Sequence, residues 1–320
     1  MTVIESILMQ KAARLSARAR VLRLPRPPKP RVPIEIERRY AADLKRLLVN
    51  KLEQITRHWL IAALPSILND AKTDLPTMDA VTYRRDNYGR TIDTVFNTMR
   101  VAFTRELTND ELDDLTRKYA TLGQSFNRSA LSETMKKVLG LDPIISEPYL
   151  APIMRQFTDQ NTNLIRSIGS EYFDKLQQDT YRHIQQGVYN KEYAGKIQSQ
   201  YEQEFKSQFE KGYLKRRVNN AEARANLIAR DQISKYNGQL NQTRQVALGI
   251  TKYRWTTSGD ERVRDSHAAL NGQVFDWNDP PLINGVPLNP GDDFQCRCIG
   301  APVFDEGVTD NQNLIALLNG

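Results

Sequence analysis

The sequence predicts a mainly α N-terminal region, a small C-terminal α+β domain, and an extended, basic, proline-rich arm at the N-terminus. Three observations carry this. Apolar residues recur at three- and four-residue steps through most of residues 34–249, the period of an amphipathic helix. After Gly249 the pattern changes: Ile250–Thr257 alternates and is rich in β-formers, and short runs punctuated by glycine and proline follow. Ahead of both lies R-L-P-R-P-P-K-P-R-V-P, residues 23–33, where proline fixes φ and removes donors. The domain boundaries that follow are 1–33 for the arm, 34–249 for the helical domain and 250–320 for the α+β domain.

Met1–Val21 has helical spacing, with Ile4, Ile7, Leu8, Ala12 and Leu15 on one side. Lys11, Arg14, Arg18, Arg20, Arg23, Arg26, Lys29 and Arg31 then make a run with no acid between them. Such a run is either a solvated linker or an arm laid along a partner or along DNA phosphates. The stripe Tyr40, Leu44, Leu48, Leu52 and Ile55 predicts a helix over Ile34–Asn69, kinked or restarted at Pro65. A second helix is expected over Asp79–Leu107. A third, capped by Thr108 or Asn109, is expected to reach Leu122 and end at Gly123. Gln124–Leu139 reads as a separate short helix. Residues 141–152, L-D-P-I-I-S-E-P-Y-L-A-P, read as a crossing segment and subdomain boundary.

Phe157–Gln186 is the most regular helix, with Gly187 as its end. His183 falls near that end, where the helix dipole favours a cation, and is assigned no chemistry. Asn190–Phe209 carries Tyr201, Phe205 and Phe209 at i, i+4, i+8, a core stripe, with Gly212 as a break. The basic run at residues 211–218 reads as a solvated face. Asn220–Leu248 is the last long helix, closed by Gly249 and expected to pack on the terminal domain.

The chain holds 45 basic and 38 acidic residues, a net charge of +7. That suits contact with nucleic acid or an acidic protein surface without requiring it. No apolar run is long enough to span a membrane, and the N-terminus lacks the pattern of a secretory signal. Two cysteines one residue apart cannot form a disulfide framework, so a reducing compartment is expected.

Both cysteines lie in the terminal domain, together with one of three histidines. Asp260 is expected to cap a helix from Glu261 to Leu270, with Val263, His267 and Leu270 on one face and Gly272 just past its end. G-Q-V-F-D-W and Phe294–Val303 hold further short strands. Imidazole and thiolate are zinc's preferred ligands, so His267, Cys296 and Cys298 make three parts of a tetrahedral set. The fourth ligand would be Asp260, Asp265, another carboxylate or water. Plain core packing of the same three residues is the competing reading, and the sequence leaves both open. A cysteine–histidine hydrolase would also need an orienting group and a cleft. Arg262 and Arg264 either pair with Asp260, Glu261 or Asp265 or serve an interface.

The order Trp255, then D-x-R-V-R-x-x-H-x-x-L-x-G (Asp260, Arg262, Val263, Arg264, His267, Leu270, Gly272), then Pro290-Gly291 and Cys296-Arg297-Cys298, resembles the phage Mu F-like minor head proteins. The specific match covers residues 250–303, and a looser one reaches back to residue 157. The resemblance implies a structural, non-enzymatic virion protein near the portal vertex of a tailed phage head, present in the host cytoplasm during assembly. It implies portal protein as partner, with major capsid or scaffolding protein and genomic DNA as further candidates, and no membrane. A DNA-binding protein delivered with the genome and a zinc- or cysteine-dependent enzyme are the alternatives. Mu F-like domains also occur as carriers of enzyme domains, but only about 17 residues follow Val303, too few for one.

Overall fold

A computed structural model describes residues 6–7, 25–74, 87–140, 142, 146–189 and 198–304. Arg14, Arg18, Arg20 and Arg23 lie outside the described residues, as do most of the expected Met1–Val21 helix and the start of the Asp79–Leu107 helix. Residues 25–33, including Arg26, Lys29 and Arg31, have no regular secondary structure.

The helices are α1 (Ile34–Leu44), α2 (Asn50–Ile55), α3 (Ala62–Thr73), α4 (Asn87–Glu106), α5 (Asn109–Leu139), α6 (Leu150–Tyr189), α7 (Gln198–Gln208) and α8 (Lys215–Ala247). Two π-helical segments, Lys45–Val49 and Thr56–Ile61, link α1, α2 and α3, and a third, Phe209–Leu214, links α7 to α8. A one-turn helix α9 (Asp265–Ala268) and strands β1 (Lys252–Thr256), β2 (Val274–Asp276), β3 (Leu282–Ile283), β4 (Val286–Pro287) and β5 (Ile299–Val303) complete the order. The mainly α region and the small strand-bearing C-terminal part are as the sequence predicts. Among the described residues, no helix is long and apolar enough to cross a membrane.

Glycine and proline end fewer helices than expected. Pro65 lies inside α3, whose chain continues from the π segment Thr56–Ile61. Proline removes the bond to the carbonyl four residues back, here Ile61, where the wider π turn ends. Gly123 does not stop α5: a Cβ there would stand 2.9 Å from the Tyr236 ring, so glycine serves close helix packing. Helix α6 begins at Leu150 and passes through Gly187. Gly212 is carried in the π segment that leads into α8. Thr108 starts α5 as expected. Its Oγ1 accepts from Glu111 N–H at 3.2 Å while Glu111 Oε2 accepts from Thr108 N–H at 3.1 Å, a reciprocal capping box.

The chain forms two compact units, each discontinuous in sequence: residues 1–38, 116–159 and 229–320, and residues 39–115 and 160–228. These units cut across the linear division at residues 33 and 249. In the second, Tyr40 donates to Asn161 at 2.9 Å, and Thr56 and Tyr172 share a buried hydroxyl contact of 3.0 Å. His183 is buried against Phe205, Phe209 and Tyr213, and burial pushes its pKa below the ordinary value. Its ring packs among these aromatic side chains, in keeping with a histidine to which the sequence assigns no chemistry. Arg216 and Arg217 of the basic run hold the buried Asp179 at 3.1 and 2.8 Å. Burial pushes the Asp179 carboxyl up, but the two arginines outweigh it and leave it below the usual range.

In the first unit, α5, α8 and the strands pack together. Helix α8 places Asn241 and Gln245 on the Gly300 carbonyl at 2.7 and 2.8 Å. Phe157 and Tyr236 stack with centroids 4.5 Å apart. Buried Arg244 bonds Glu147, Asn127 and the Gln124 carbonyl. Three strands form an antiparallel sheet in the order β2-β1-β5, with Tyr253 opposite Phe275 and Trp255 opposite Gly300. Alternation along β1 buries Tyr253 and Trp255. They join Trp277, Ile283, Cys296 and Cys298 in one apolar cluster.

Candidate functional site

The site is built where β1, α9 and the loop before β5 meet, within the first unit. The helix expected over Glu261–Leu270 is shorter than predicted: Asp260 closes a local turn, accepting from Ser258 Oγ at 3.2 Å and Arg262 N–H at 3.3 Å. Such an aspartate turn competes with helix initiation at the same residue. Helix α9 then begins only at Asp265, and its single turn buries His267. Gly272, at φ 85°, returns the chain to β2.

The loop before β5 is pinned by α8. Gly291 takes φ 103°, and a Cβ on it would meet Gly238 Cα at 3.1 Å and the Ser234 carbonyl at 3.2 Å. A Cβ on Gly238 would stand 2.8 Å from the Pro290 carbonyl. Pro290-Gly291 is thus a point where two backbones touch, which only glycine permits. Gln295 has φ 55°, and its N–H donates to Asp231 Oδ1 at 2.7 Å. This left-handed residue redirects the chain so that Cys296 and Cys298 turn inward.

His267 Nδ1 lies 3.4 Å from Cys296 Sγ and 3.5 Å from Cys298 Sγ. The three ligand atoms fall within 4.8 Å of one another, and all three residues are buried. The other ring nitrogen, Nε2, sits 3.1 Å from Asp293 Oδ2. Asp293 also pairs with Arg264, whose second nitrogen donates to the Phe294 carbonyl. The Trp255 ring meets His267 edge-on at 5.6 Å. The Cys298 backbone N–H donates to Cys296 Sγ at 3.3 Å.

Electrostatically the two thiols are unequal. The Cys298 thiol, together with His267 and nearby backbone donors, pulls Cys296 down to about 5 despite burial. Cys298 is pushed up by the adjacent Cys296 and by burial. His267 is raised by Cys296 first and Asp293 after it, against burial. Of the two thiols, Cys296 is the one drawn toward its thiolate, beside an imidazole drawn toward its cation.

Two chemistries fit these atoms. Zinc bound to sulfur at about 2.3 Å and nitrogen at about 2.05 Å with tetrahedral angles spaces sulfur from nitrogen by about 3.6 Å. The two observed sulfur–nitrogen distances match that edge. A carboxylate on the far ring nitrogen orients the imidazole toward a metal in the same way. Alternatively Cys296, His267 and Asp293 read as nucleophile, base and orienting group. The convergence of two sulfurs on one ring nitrogen favours the metal.

Asp260 and Asp265 are not among the residues gathered here. Asp260 Oδ2 lies 3.7 Å from Arg297 Nη1, and Asp265 is exposed at the start of α9. Asp293, unnoticed in sequence, is the carboxylate on the histidine. The D-D before F-Q-C-R-C was the available signal. Arg297 turns away from the sulfurs on either side of it and grips Glu37, itself 3% exposed, through both carboxylate oxygens. Arg262 is exposed and makes no ion pair with any described residue.

A family model described as Phage Mu protein F like protein matches residues 174–300. An "Uncharacterized protein" of Haemophilus influenzae is 30% identical over 211 residues, 64% of this chain and 43% of that protein. The chain thus spans less than half the length of this relative. No solved structure matches the chain.

Proposed function

We propose, from the premise that residues 174–300 form a Phage Mu F-like region, that the chain is a structural minor head protein of a tailed phage. In this reading it sits in the virion head near the portal vertex after assembly in the host cytoplasm, and acts in head assembly and genome packaging or delivery. Portal protein is its partner, with major capsid or scaffolding protein and genomic DNA as further contacts.

The observation that carries the reading is that the motif residues of the matched region serve the fold. Trp255 fills the core, Gly272 turns the chain, and Pro290-Gly291 seats against Gly238. Arg264 holds Asp293, and Arg297 neutralises Glu37. Within this reading His267, Cys296 and Cys298 hold a structural zinc. The ion would cross-link α9 to the C-R-C loop in a module whose apolar cluster is small.

A second reading, a cysteine-dependent enzyme, is favoured by the Cys296–His267–Asp293 contacts. Alkylation separates the two: a free low-pKa thiolate reacts at a single cysteine whether or not chelator is present. Zinc-held thiolates react only once chelator is added.

Mass spectrometry of purified DNA-filled particles, quantified against portal protein, tests the virion reading. A fixed ratio to portal is expected. Absence from filled particles and from proheads alike would remove the minor head protein reading.

A further inference from the structure

Beside the histidine–cysteine cluster lies a cleft of about 200 Å³, far larger than the roughly 10–15 Å³ that one water needs on the same measure. Arg230, Arg262, Arg264 and Arg297 line it. The geometry points to a binding site for a phosphate-type oxyanion in this cleft, held by the guanidinium groups that line it.

The charges do not cancel. Glu37 pairs with Arg297, Asp293 with Arg264, and Asp260 approaches Arg297 at 3.7 Å. Those carboxylates are engaged by Arg264 and Arg297, and Cys296 is engaged by His267, whereas Arg230 and Arg262 form no ion pair with any described residue. Arg230 is half-buried and bonds only the Gln295 carbonyl, at 3.2 Å. Burial and the neighbouring Arg297 and Arg262 disfavour its charge and outweigh Glu37 and Asp260, which favour it.

The unmet groups share one polarity. Arg230 Nε and Gln295 Nε2 are both buried without a hydrogen-bond partner. Guanidinium N–H groups only donate, so a ligand held by the arginines that line the cleft must accept. Water accepts but does not offset the surplus positive charge. A tetrahedral oxyanion does both, and planar guanidinium forks match its oxygens in pairs. A free phosphate and a nucleic-acid backbone phosphate offer the same chemistry.

The test uses the full chain at fixed ionic strength. Inorganic phosphate is titrated against chloride and followed by phosphorus NMR line broadening and by thermal shift. Saturable broadening and a rise in melting temperature with phosphate alone are expected. Arg262→Gln, at an exposed residue, keeps the fold by circular dichroism and weakens phosphate at least about tenfold. Arg230→Gln weakens it similarly. A short single-stranded oligonucleotide that displaces phosphate, and loses affinity in Arg262→Gln, identifies a backbone phosphate as the source. Phosphate that binds but is not displaced by the oligonucleotide identifies a free anion as the source. Equal responses to phosphate and chloride, or unchanged phosphate binding in Arg262→Gln, overturn the proposal.

Discussion

Removing the guanidinium of Arg297 strands a buried carboxylate. Glu37 is 3% exposed and accepts from Arg297 Nε at 3.0 and 3.2 Å, from a second Arg297 nitrogen, and from Ser234 Oγ at 3.2 Å. Arg297→Met keeps much of the side chain's volume but leaves Ser234 as the hydrogen-bond partner identified for Glu37. Breaking a buried pair from one side costs about 3–5 kcal/mol, because the remaining charge is left in a poorly solvating place. Urea unfolding followed by tryptophan emission reads this directly. Trp255 and Trp277 are buried in the same unit as the pair, whereas Trp59 is 40% exposed in the folded chain. The midpoint should fall by roughly 1 M urea or more. Glu37→Gln combined with Arg297→Met should recover most of the loss, since a neutral amide costs less to bury than a carboxylate. A loss under about 1 kcal/mol in Arg297→Met, or simple additivity in the double variant, would refute this account of the central residue of C-R-C.

Gly291→Ala should destabilise by about 1–3 kcal/mol or more, since φ 103° and the 3.1 Å approach of Gly238 Cα both oppose a Cβ; calorimetry checks it. Thr108→Ala should cost about 1 kcal/mol by removing one half of the capping box, read by chemical denaturation. Burial raises the Glu147 carboxyl, but Arg244 and Arg128 outweigh it and hold it below its ordinary 4.5. A carboxyl depressed by folding adds stability above its unfolded value and loses it as pH falls through the folded one. Stability should therefore decline below about pH 4.5, and less steeply in Glu147→Gln, measured as unfolding free energy against pH.

Periodicity made the helices legible because each long stripe buries one face, and Gly249 at φ 84° ends α8 where its position suggested. The helix end at Gly123 was misread because a glycine set against a neighbouring ring, here Tyr236, looks in sequence like one that turns the chain; Gly187 and Gly212 lie inside helical segments that continue past them. Asp260 was misread as a helix cap because its turn bonds are equally local. The β3–β4 hairpin was overlooked, although Asn284-Gly285 between Ile283 and Val286 is a strong two-residue turn signal. His267, Cys296 and Cys298 were legible as a set because soft ligands are scarce in this chain. Asp293 was passed over although the D-D before F-Q-C-R-C marks it, and Glu37 was not legible, since nothing local marks which of many carboxylates meets an arginine 260 residues away.

The metal content of the purified chain tests the structural centre most directly. Inductively coupled plasma mass spectrometry should find one zinc per chain, lost in His267→Ala and Cys296→Ser, with a lower melting temperature in both variants. A chain without stoichiometric metal, whose Cys296→Ser variant melts as the parent does, would contradict a zinc-held module and leave the three side chains as ordinary core.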